Sequence, residues 1–577
     1  MPETADPASH AIAFPVLDET HIARLANVGH EREARDGQVL IAAGAADYPL
    51  LVVLAGHVRI VERRDAGVAT GELLIARHGR SEFVGDVDLL TGRPAVFTAV
   101  AEAQSGDQPV RVLEVDRHKL RDVAASAPDL GEALLRALLM RRDLLAGTGH
   151  QGTRLIGSRW NRDTHALREM LDRNAVPYVW LEPEADGGAT DTLLASLALG
   201  PVDLPALITP GGTTLRRPAV RDAAQVLGLR RVGNAQQGDA SSSTSVFDVR
   251  NRIHDLVIVG AGPAGLAAAV YAASEGLDVL VLDARAPGGQ AGTSSRIENY
   301  PGFPTGISGG ELARRVAIQA QRFGAVIEAP CAAASIEPAG ATLRLGLDCG
   351  GPVVTRSVIV ATGATYRRLG IDGEEQYAGS GVYYGATQME ATLCRGRTSV
   401  VVGGGNSAGQ AAVFLSGLCE RVLLLVRGDT LASSMSRYLI DRLEGSERIE
   451  LHYQTHVTAL EGDSENARLD AVWLEGPNGK TGVVAGGLFV MIGADPRTDW
   501  LADGPVRLDP QGFVLTGPES IGDTWPARRA PHELETSLPN VFAAGDVRYG
   551  STKRVATAVG EGAMAVRSVH AALALPG

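Results

Sequence analysis

Two glycine-rich turns are the parts of this 577-residue chain whose residue types and spacing most clearly specify chemistry. The first reads Gly-Ala-Gly-Pro-Ala-Gly at 260–265, between Asp255–Val259, a segment predicted to be a buried strand, and an alanine-rich stretch. Glycines at this spacing let a strand turn tightly into a helix, whose N-terminus stabilises a pyrophosphate. A second apolar run, 279–282, ends at Asp283, whose carboxylate can accept hydrogen bonds from ribose hydroxyls. Together these features predict a dinucleotide site, against the alternative of a chance glycine turn.

The second turn reads Gly-Gly-Gly-Asn-Ser-Ala at 403–408 and follows the segment Ser399–Val402. It repeats the phosphate-binding pattern, with alanine at the last position as NADP-type fingerprints allow. The next apolar run, 422–426, ends in Arg427 and not in an acid, and Arg437 lies further on. Because an arginine pairs with a 2′-phosphate that a carboxylate would repel, NADPH is favoured and NADH stays possible. The alternative is a surface arginine without a cofactor role.

Further segments extend the pattern over nearly all of residues 251–577, which resemble a low-molecular-weight thioredoxin reductase of the class II pyridine nucleotide-disulfide oxidoreductase family. The matching segments are Gly288-Gly289-Gln290, Glu298–Gly302, Ala361-Thr362-Gly363, Val541–Asp546 and Lys553–Ala556. The resemblance implies that FAD binds to Gly260, Gly262, Pro263, Ala264, Gly265, Asp283, Gly289, Gln290, Asn299, Thr362, Gly363, Gly545, Asp546, Arg554, Val555 and Ala556. It implies that NADPH binds to Gly403, Gly405, Asn406, Ser407, Ala408, Arg427 and Arg437.

The segment before the second turn departs from that family. Where a thioredoxin reductase carries Cys-Ala-Thr-Cys-Asp, this chain reads Gly-Ala-Thr-Gln-Met at 385–389, so Gly385 and Gln388 occupy the dithiol positions. We therefore identify no catalytic residue and expect the flavin to be the only redox centre. The four cysteines, Cys331, Cys349, Cys394 and Cys419, form no Cys-x-x-Cys pair, so we predict structural roles for them and no disulfide scaffold. No metal site is predicted.

The N-terminal stretch, 12–148, alternates short apolar runs with turn residues, which predicts an all-β barrel or jelly roll closed by a helix at 130–145. It resembles a cyclic-nucleotide-binding domain of the catabolite-activator type, with no helix-turn-helix after it. In that family a Gly-Glu pair and an arginine hold the cyclic phosphate. Here the pair is Gly85-Asp86 and the arginine position is Ala95, with Arg93 nearby. We therefore expect cAMP to bind weakly or not at all.

Residues 152–232 predict the order β-α-β and then β-β-α, which resembles a thioredoxin- or glutaredoxin-like domain with Pro205 at its cis-proline position. Where that family places Cys-x-x-Cys, the chain reads Ser-Arg-Trp-Asn at 158–161. Thiol–disulfide exchange requires a thiolate, so this domain is predicted to be redox-silent and to act as a docking or spacer domain. Removal of residues 1–245 is accordingly expected to leave flavin reduction nearly intact.

These patterns predict a multidomain chain: an all-β jelly roll, an α/β thioredoxin-like domain, and an α/β flavoprotein with two dinucleotide-binding domains. The expected boundaries are 12–148, 152–232, a polar linker at 233–250, the first part of the FAD domain at 251–375, the NAD(P)H domain at 376–488, and the second part of the FAD domain at 489–577.

Composition limits the function classes. The net charge of −13 disfavours nucleic acid and anionic membranes as general partners, because both attract basic surfaces. The first residues lack a signal-peptide pattern and no apolar run is long enough to span a bilayer, so a cytoplasmic protein, and by expectation a homodimer, is predicted.

Three functions stay open from the sequence. The first is an NAD(P)H-dependent flavin oxidoreductase that passes electrons directly from FAD to an unknown small-molecule or protein acceptor, such as a quinone or a ferredoxin. The second is a thioredoxin-disulfide reductase that uses the thiols of a partner. The third is a regulatory flavoprotein that senses nicotinamide redox state.

Overall fold

The computed structural model describes residues 7–45, 48–66, 69–91, 93–104, 108–147, 152–158, 161–174, 176–183, 189–229, 252–293, 297, 300–378, 381–386, 391, 394–463, 468–521, 525 and 529–574. The chain divides into two compact units. Unit 1 comprises residues 1–363, 498–509 and 513–577, and unit 2 comprises residues 364–497 and 510–512. Among the described residues, no helix has both the length and the apolar character that crossing a bilayer requires.

The N-terminal part of unit 1 is a two-sheet β domain flanked by helices. Its strands are β1 (His30–Ala34), β2 (Val39–Ile41), β3 (Leu50–Ala55), β4 (His57–Ala66), β5 (Ala69–His78), β6 (Phe83–Val84), β7 (Thr98–Glu102) and β8 (Val110–Val115). Its helices are α1 (Pro7–Ala13), α2 (Glu19–Ala26), α3 (Val87–Thr91), α4 (Arg117–Ser126) and α5 (Pro128–Gly147). The sheet orders are β1-β8-β3-β6 and β2-β7-β4-β5, and one apolar core lies between them. The predicted all-β domain and its closing helix are confirmed.

The middle part of unit 1 is a four-stranded sheet with three helices. It consists of β9 (Thr153–Ile156), α6 (Arg162–Arg173), β10 (Tyr178–Leu181), α7 (Ala189–Ser196), β11 (Ala206–Ile208), β12 (Thr214–Arg216) and α8 (Val220–Val226). The sheet order is β10-β9-β11-β12, with β10 parallel to β9 and β11 antiparallel to both of its neighbours. The predicted order of elements is confirmed, and the Leu204–Pro205 bond is cis as expected. Helix α7 was not predicted, because its segment was interpreted as a loop.

The third part of unit 1 is built around a largely parallel sheet. Its elements are β13 (Ile253–Val259), α9 (Pro263–Ser274), β14 (Val279–Leu282), α10 (Gly309–Arg322), β15 (Val326–Glu328), β16 (Ala333–Ala339), β17 (Thr342–Leu347), β18 (Gly350–Val360), and, after unit 2, β29 (Val541–Ala543) and α13 (Val555–Leu573). The order is β15-β14-β13-β18-β17-β16, and β29 pairs with β18. The strands next to the first turn are buried on both faces, as their continuous apolar runs predict.

Unit 2 repeats this architecture on a smaller scale. It contains β19 (Ala364–Tyr366), β20 (Val382–Tyr383), β21 (Thr398–Val402), α11 (Asn406–Ser416), β22 (Arg421–Val426), α12 (Arg437–Glu444), β23 (Ile449–Tyr453), β24 (His456–Asp463), β25 (Arg468–Gly476), β26 (Gly479–Val484), β27 (Gly487–Val490) and β28 (Ala494–Pro496). A parallel sheet has the order β20-β27-β21-β22-β23, and β24-β25-β26 form a separate antiparallel sheet. The unit contains the predicted interval 376–488; the predicted domain boundaries themselves stay predictions.

The cysteines need one correction, because Cys331 and Cys349 form a disulfide bond. The two residues flank the antiparallel hairpin β16–β17, in which Ala333 lies opposite Leu347. The same register, continued by two residues, brings Cys331 opposite Cys349. The two cysteines are 18 positions apart in the sequence. No local motif marks them as a pair, so only the hairpin register reveals the bond.

Candidate functional site

The first glycine-rich turn connects β13 to α9 in a backbone path that only glycine permits at two positions. Gly260 has a φ of +109°, and a Cβ there would overlap the carbonyl oxygen of Ala361. A Cβ on Gly265 would overlap the carbonyl oxygen of Gly260. Pro263 is the first residue of α9, where its missing N–H costs nothing. The turn therefore presents the N-terminus of a helix with no side chain in the way, which fits a pyrophosphate.

Asp283 lies directly after β14 and its carboxylate is oriented by backbone donors. Oδ2 accepts a hydrogen bond from the N–H of Ala261 at 2.8 Å, inside the first turn. Oδ1 accepts from the N–H groups of Arg285 and Ala286, at 2.9 and 3.0 Å. Oδ2 accepts only one of these three bonds and keeps a further lone pair, so the residue can still accept from a ribose hydroxyl. The structure therefore brings Asp283 to the turn, as the sequence pattern predicted.

The segment Gly288–Gln290, here called the flavin-side loop, packs against the first turn. The N–H of Gly288 donates to the carbonyl oxygen of Ala261 at 2.7 Å. Gly289 has a φ of +55°, and a Cβ there would lie 2.9 Å from the Cα of Gly262. The Arg173 side chain, from the end of α6, donates to the carbonyl oxygen of Gly289. Sequence reasoning missed Arg173, since nothing local to it indicates a contact 116 residues away.

The C-terminal segment reaches the same site from β29. A Cβ on Gly545, whose φ is +79°, would lie 2.9 Å from the Cβ of Ala264. The N–H of Gly545 donates to Oε2 of Glu561 at 2.7 Å, and Oε1 of Glu561 pairs with Arg548 at 2.7 Å. Glu561 is buried on α13. This acid and its arginine were also missed by sequence reasoning, although they hold the turn that precedes Asp546.

Asp546 is half-buried, and burial raises the pKa of its carboxyl, an effect that the positive charge of Lys553 partly opposes. Lys553 lies over the ring of Phe513, with its Nζ 4.5 Å from the ring centroid. Arg554 precedes α13, so Val555 and Ala556 supply N–H groups of its first turn. These groups are available to hydrogen-bond acceptors of a ligand.

Four other residues are predicted to bind FAD, and the structure describes three of them. Thr362 and Gly363 follow β18, the strand next to β13, and Gln290 ends the flavin-side loop. Asn299 lies outside the described residues. The structure thus brings the ends of β13, β14, β18 and β29 to one edge of the sheet, where ligands of open α/β sheets bind.

The second turn connects β21 to α11 in unit 2. Gly403 has a φ of +148°, and a Cβ there would overlap the carbonyl oxygen of Met491. Oδ1 of Asn406 accepts from the N–H and the hydroxyl of Ser436, at 2.8 and 3.1 Å. The hydroxyl of Ser434 donates to the carbonyl oxygen of Gly404 at 2.7 Å. Gly405, Ser407 and Ala408 lie in the same turn and first helical residues, as predicted.

The two arginines predicted for NADPH differ in their surroundings. Arg427 directly follows β22. It lies at the sheet edge that carries the second turn, as the bond from the N–H of Gly403 to the carbonyl oxygen of Leu425 at 3.0 Å shows. Its side chain is exposed. Arg437 is the first residue of α12 and pairs with Asp441 at 2.6 Å, one turn further along the helix. Arg437 is exposed as well, and its charge is shared with this acidic neighbour on the same helix.

All four cysteines lie within the described residues, and each is buried. Burial raises the pKa of the Cys419 thiol, whose Sγ lies 3.2 Å from the Ser399 hydroxyl. The Sγ of Cys394 packs against Gly487, 2.6 Å from where a Cβ on that glycine would lie. Gly385 is described and a Cβ there would meet no atom within 4 Å, whereas Gln388 lies outside the described residues.

The acid of the N-terminal domain's Gly85-Asp86 pair is occupied by the protein itself. Asp86 is buried and accepts from the Tyr48 hydroxyl at 2.6 Å. Arg142, buried on α5, lies 3.3 Å from Asp86 and also pairs with Asp88. Burial, reinforced by the charge of Asp88, raises the pKa of Asp86 to about 6. This carboxylate is therefore part of an internal cluster.

The arginine position of that domain contains no charge. Ala95 is buried and its N–H donates to the carbonyl oxygen of Ala45 at 2.9 Å. Arg93 turns to the middle part of unit 1, where its Nη1 donates to the carbonyl oxygen of Asn174 at 2.5 Å. Arg93 thus caps the C-terminal end of α6, where a cation is electrostatically favoured.

The two turns, each between a parallel strand and a helix, define a flavoprotein class with two dinucleotide-binding domains. Residues 254–562 match the family model for pyridine nucleotide-disulphide oxidoreductases, and residues 31–127 match that of the cyclic nucleotide-binding domain. The chain belongs to the pyridine nucleotide-disulphide oxidoreductase family and has an N-terminal cyclic nucleotide-binding domain.

Relatives support the same assignment. Thioredoxin reductase of Treponema pallidum is 36% identical over 319 residues, which cover 55% of this chain and 95% of the relative. Thioredoxin reductase of Mycolicibacterium smegmatis is 37% identical over 317 residues, covering 54% and 94%. NADPH-dependent thioredoxin reductase 3 of Arabidopsis thaliana is 33% identical over 367 residues, covering 62% and 65%. The protein is an NAD(P)H-dependent FAD oxidoreductase of the thioredoxin reductase type, a family that uses FAD and NADPH.

Proposed function

We propose that this enzyme passes the electron pair of NADPH through FAD directly to an acceptor, without an internal dithiol. The observation that carries the proposal is where the cysteine sulfur atoms of the chain lie. Residues 385–388 contain no cysteine, and the four cysteines of the chain are all buried. A sulfur that exchanges electrons with a partner must be reachable as a thiolate, and none of these is.

The chain's own residues supply binding and orientation for this reaction. The first turn, Asp283, the flavin-side loop and the Gly545–Asp546 segment would hold FAD, since each lies at the same sheet edge. Arg427 would pair with the 2′-phosphate of NADPH at the second turn. Bound FAD supplies a ring that accepts a hydride from the nicotinamide and releases electrons to an acceptor.

An anaerobic titration with NADPH counts the electrons that the protein stores. One two-electron equivalent per FAD is expected, with no thiolate-to-flavin charge-transfer band, because a dithiol reductase stores a second pair in its disulfide. Cys394→Ser should leave both results unchanged. Uptake of a second pair by the wild type that Cys394→Ser abolishes would overturn the proposal. A second pair lost only in a Cys331→Ser/Cys349→Ser variant would instead identify the disulfide as redox-active.

A restored dithiol provides the positive control. A Cβ at Gly385 would lie within 4 Å of no atom of the described residues, so those residues leave space for Gly385→Cys. The double variant Gly385→Cys/Gln388→Cys should take up a second electron pair, and the matched Gly385→Ser/Gln388→Ser variant should not.

An acceptor screen separates this function from reduction through a partner's thiols. Steady oxidation of NADPH with a quinone or ferricyanide supports direct transfer from the flavin. Turnover that requires thioredoxin and a disulfide would overturn the proposal in favour of a thioredoxin-disulfide reductase. Slow flavin reduction without efficient transfer to any acceptor would overturn it in favour of a sensing flavoprotein.

We also infer that the N-terminal domain binds cAMP weakly or not at all. The position of the family's acid, Asp86, is engaged by Tyr48 and Arg142, and the position of its arginine is Ala95. A missing charge-assisted contact removes roughly 1.5–3 kcal/mol of binding free energy. Calorimetry should detect no binding at micromolar cAMP, and a micromolar dissociation constant would contradict this inference.

The middle part of unit 1 is proposed to be a thioredoxin-like domain without redox activity. Its sheet order and the cis bond at Pro205 support the fold, and residues 152–232 contain no cysteine. A cytoplasmic location and a homodimer stay predictions. Sedimentation of the purified protein tests the homodimer.

A further inference from the structure

The C-terminal end of α6 contacts the flavin-side loop. The guanidinium of Arg173, the last residue of this helix, donates to the carbonyl oxygen of Gly289. Its Nη1 also donates to Oε1 of Glu169 at 3.1 Å, which holds the side chain over the loop. Only 13% of the Arg173 side chain is exposed. A hydrogen bond from a charged donor in such a sheltered place is among the stronger ones in a protein.

The bond acts on a part of the loop that has little freedom. Gly289 has a positive φ and lies so close to Gly262 that a Cβ would come within 2.9 Å of the Gly262 Cα. The neighbouring Gly288 is bonded to Ala261 of the first turn. The flavin-side loop is therefore held by the hydrogen bond from Arg173 and, separately, by its contacts with the first turn.

The helix end that carries Arg173 is itself fixed by the N-terminal domain. Arg93 donates to the carbonyl oxygen of Asn174, the residue after Arg173, at 2.5 Å. Gly228, after α8, packs so closely on Pro94 that a Cβ on it would overlap the proline ring. Helix α3 of the N-terminal domain packs against α10 of the flavoprotein part. The N-terminal domain therefore contacts the middle domain at Asn174 and Gly228, and it contacts the flavoprotein part through α3 and α10. None of these contacts involves a cysteine.

We propose that Arg173 is a positioning residue for the flavin, supplied by the middle domain, and that Arg93 supports it through the end of α6. The inference rests on the proposed function only in placing the flavin-side loop at the FAD site. It changes the expectation drawn from the sequence that residues 152–232 are only a docking or spacer domain and that removal of residues 1–245 leaves flavin reduction nearly intact. Loss of those residues would remove Arg173, and flavin binding should weaken.

The test uses the full-length protein and FAD alone, with no NADPH and no acceptor. Arg173→Met keeps most of the aliphatic stem and removes the donor. It should weaken FAD affinity about tenfold, the loss expected for a hydrogen bond to a charged group. The visible absorption band and the midpoint potential of the bound flavin should also shift. Arg173→Lys, which can still donate to Gly289, should recover most of the affinity and the spectrum.

Two further variants calibrate the result. Arg216→Met is the matched control, because Arg216 pairs with Asp203 and bonds Ala198 within the middle domain. It should leave affinity, spectrum and potential unchanged. Arg93→Met should change them in the same direction as Arg173→Met, by a smaller factor, since it acts through Asn174.

A folded Arg173→Met protein with wild-type affinity, spectrum and potential would overturn the proposal. If that variant does not fold, Arg93→Met and Glu169→Gln decide, and unchanged flavin properties in both would overturn it equally. FAD affinity and the spectrum of the oxidised flavin are measured without electron transfer, and the midpoint potential needs only a chemical reductant. None of the three readouts therefore depends on the electron count on which the proposed function rests.

Discussion

The two glycine-rich turns share one backbone design and differ in what surrounds them. In the first turn the last glycine, Gly265, packs against the turn's own backbone, whereas the equivalent residue in the second turn is Ala408. The acid after the first turn, Asp283, is held by three N–H groups. The cation after the second, Arg427, is exposed.

This difference indicates two modes of nucleotide binding. The first turn packs against the flavin-side loop and the segment before Asp546, and Arg173 in turn bonds the flavin-side loop, so contacts within the protein hold this region in place. The second is bordered by Ser434 and Ser436 through exposed hydrogen bonds that can break at low cost. A permanently held cofactor suits the first arrangement and an exchanging substrate suits the second.

Gly265→Ala should give the largest effect. The added Cβ would overlap the carbonyl oxygen of Gly260, so one of the two backbone segments must shift. We expect loss of FAD from the purified protein. Ala408→Gly, the converse change in the second turn, should retain full FAD content and cost only about 0.5–1 kcal/mol in helix stability. FAD content measured by absorbance checks both, and normal content in Gly265→Ala would show that the two turns tolerate the same side chain.

Glu561→Gln comes next. Glutamine keeps the shape of the side chain but leaves the partly buried Arg548 without its counter-charge and weakens the bond to Gly545. A loss of about 2 kcal/mol in the unfolding free energy and weaker FAD binding are expected. Thermal unfolding with and without added FAD measures both quantities. An unchanged midpoint would mean that Glu561 is not what holds the segment before Asp546.

Arg427→Ala should reduce kcat/KM for NADPH about tenfold and leave that for NADH nearly unchanged, because only NADPH carries the 2′-phosphate. Arg437→Ala serves as the comparison, since Arg437 is paired with Asp441, and its effect should stay below about threefold. Steady-state kinetics with both nucleotides decide. An equal loss for NADPH and NADH would assign Arg427 a structural role.

Asn406→Ala should have the smallest effect. It removes the two exposed hydrogen bonds to Ser436, each worth about 0.5–1 kcal/mol or less. KM for NADPH is expected to rise by a small factor while FAD content stays constant. A loss of FAD in this variant would contradict the separation between the two turns.

The local patterns of the sequence were sufficient to predict the strand–turn–helix path of both turns. Gly260, Gly265 and Gly403 are required by overlaps with nearby backbone, and such requirements appear as glycines at fixed spacing. The apolar runs predicted the strands around them, and the two-sheet domain and the cis bond at Pro205 also followed from local pattern and resemblance.

The contacts that link distant parts of the chain were decided only by the tertiary structure. The Cys331–Cys349 bond depends on a hairpin register, and the bond from Arg173 to Gly289 joins residues 116 positions apart. The pair between Arg437 and Asp441 forms along one helix, and the role of Arg437 towards NADPH stays a prediction. A charged side chain on a surface has many possible partners, and the sequence around it does not distinguish them. Packing selects one, because a hydrogen bond forms only where the fold brings donor and acceptor together.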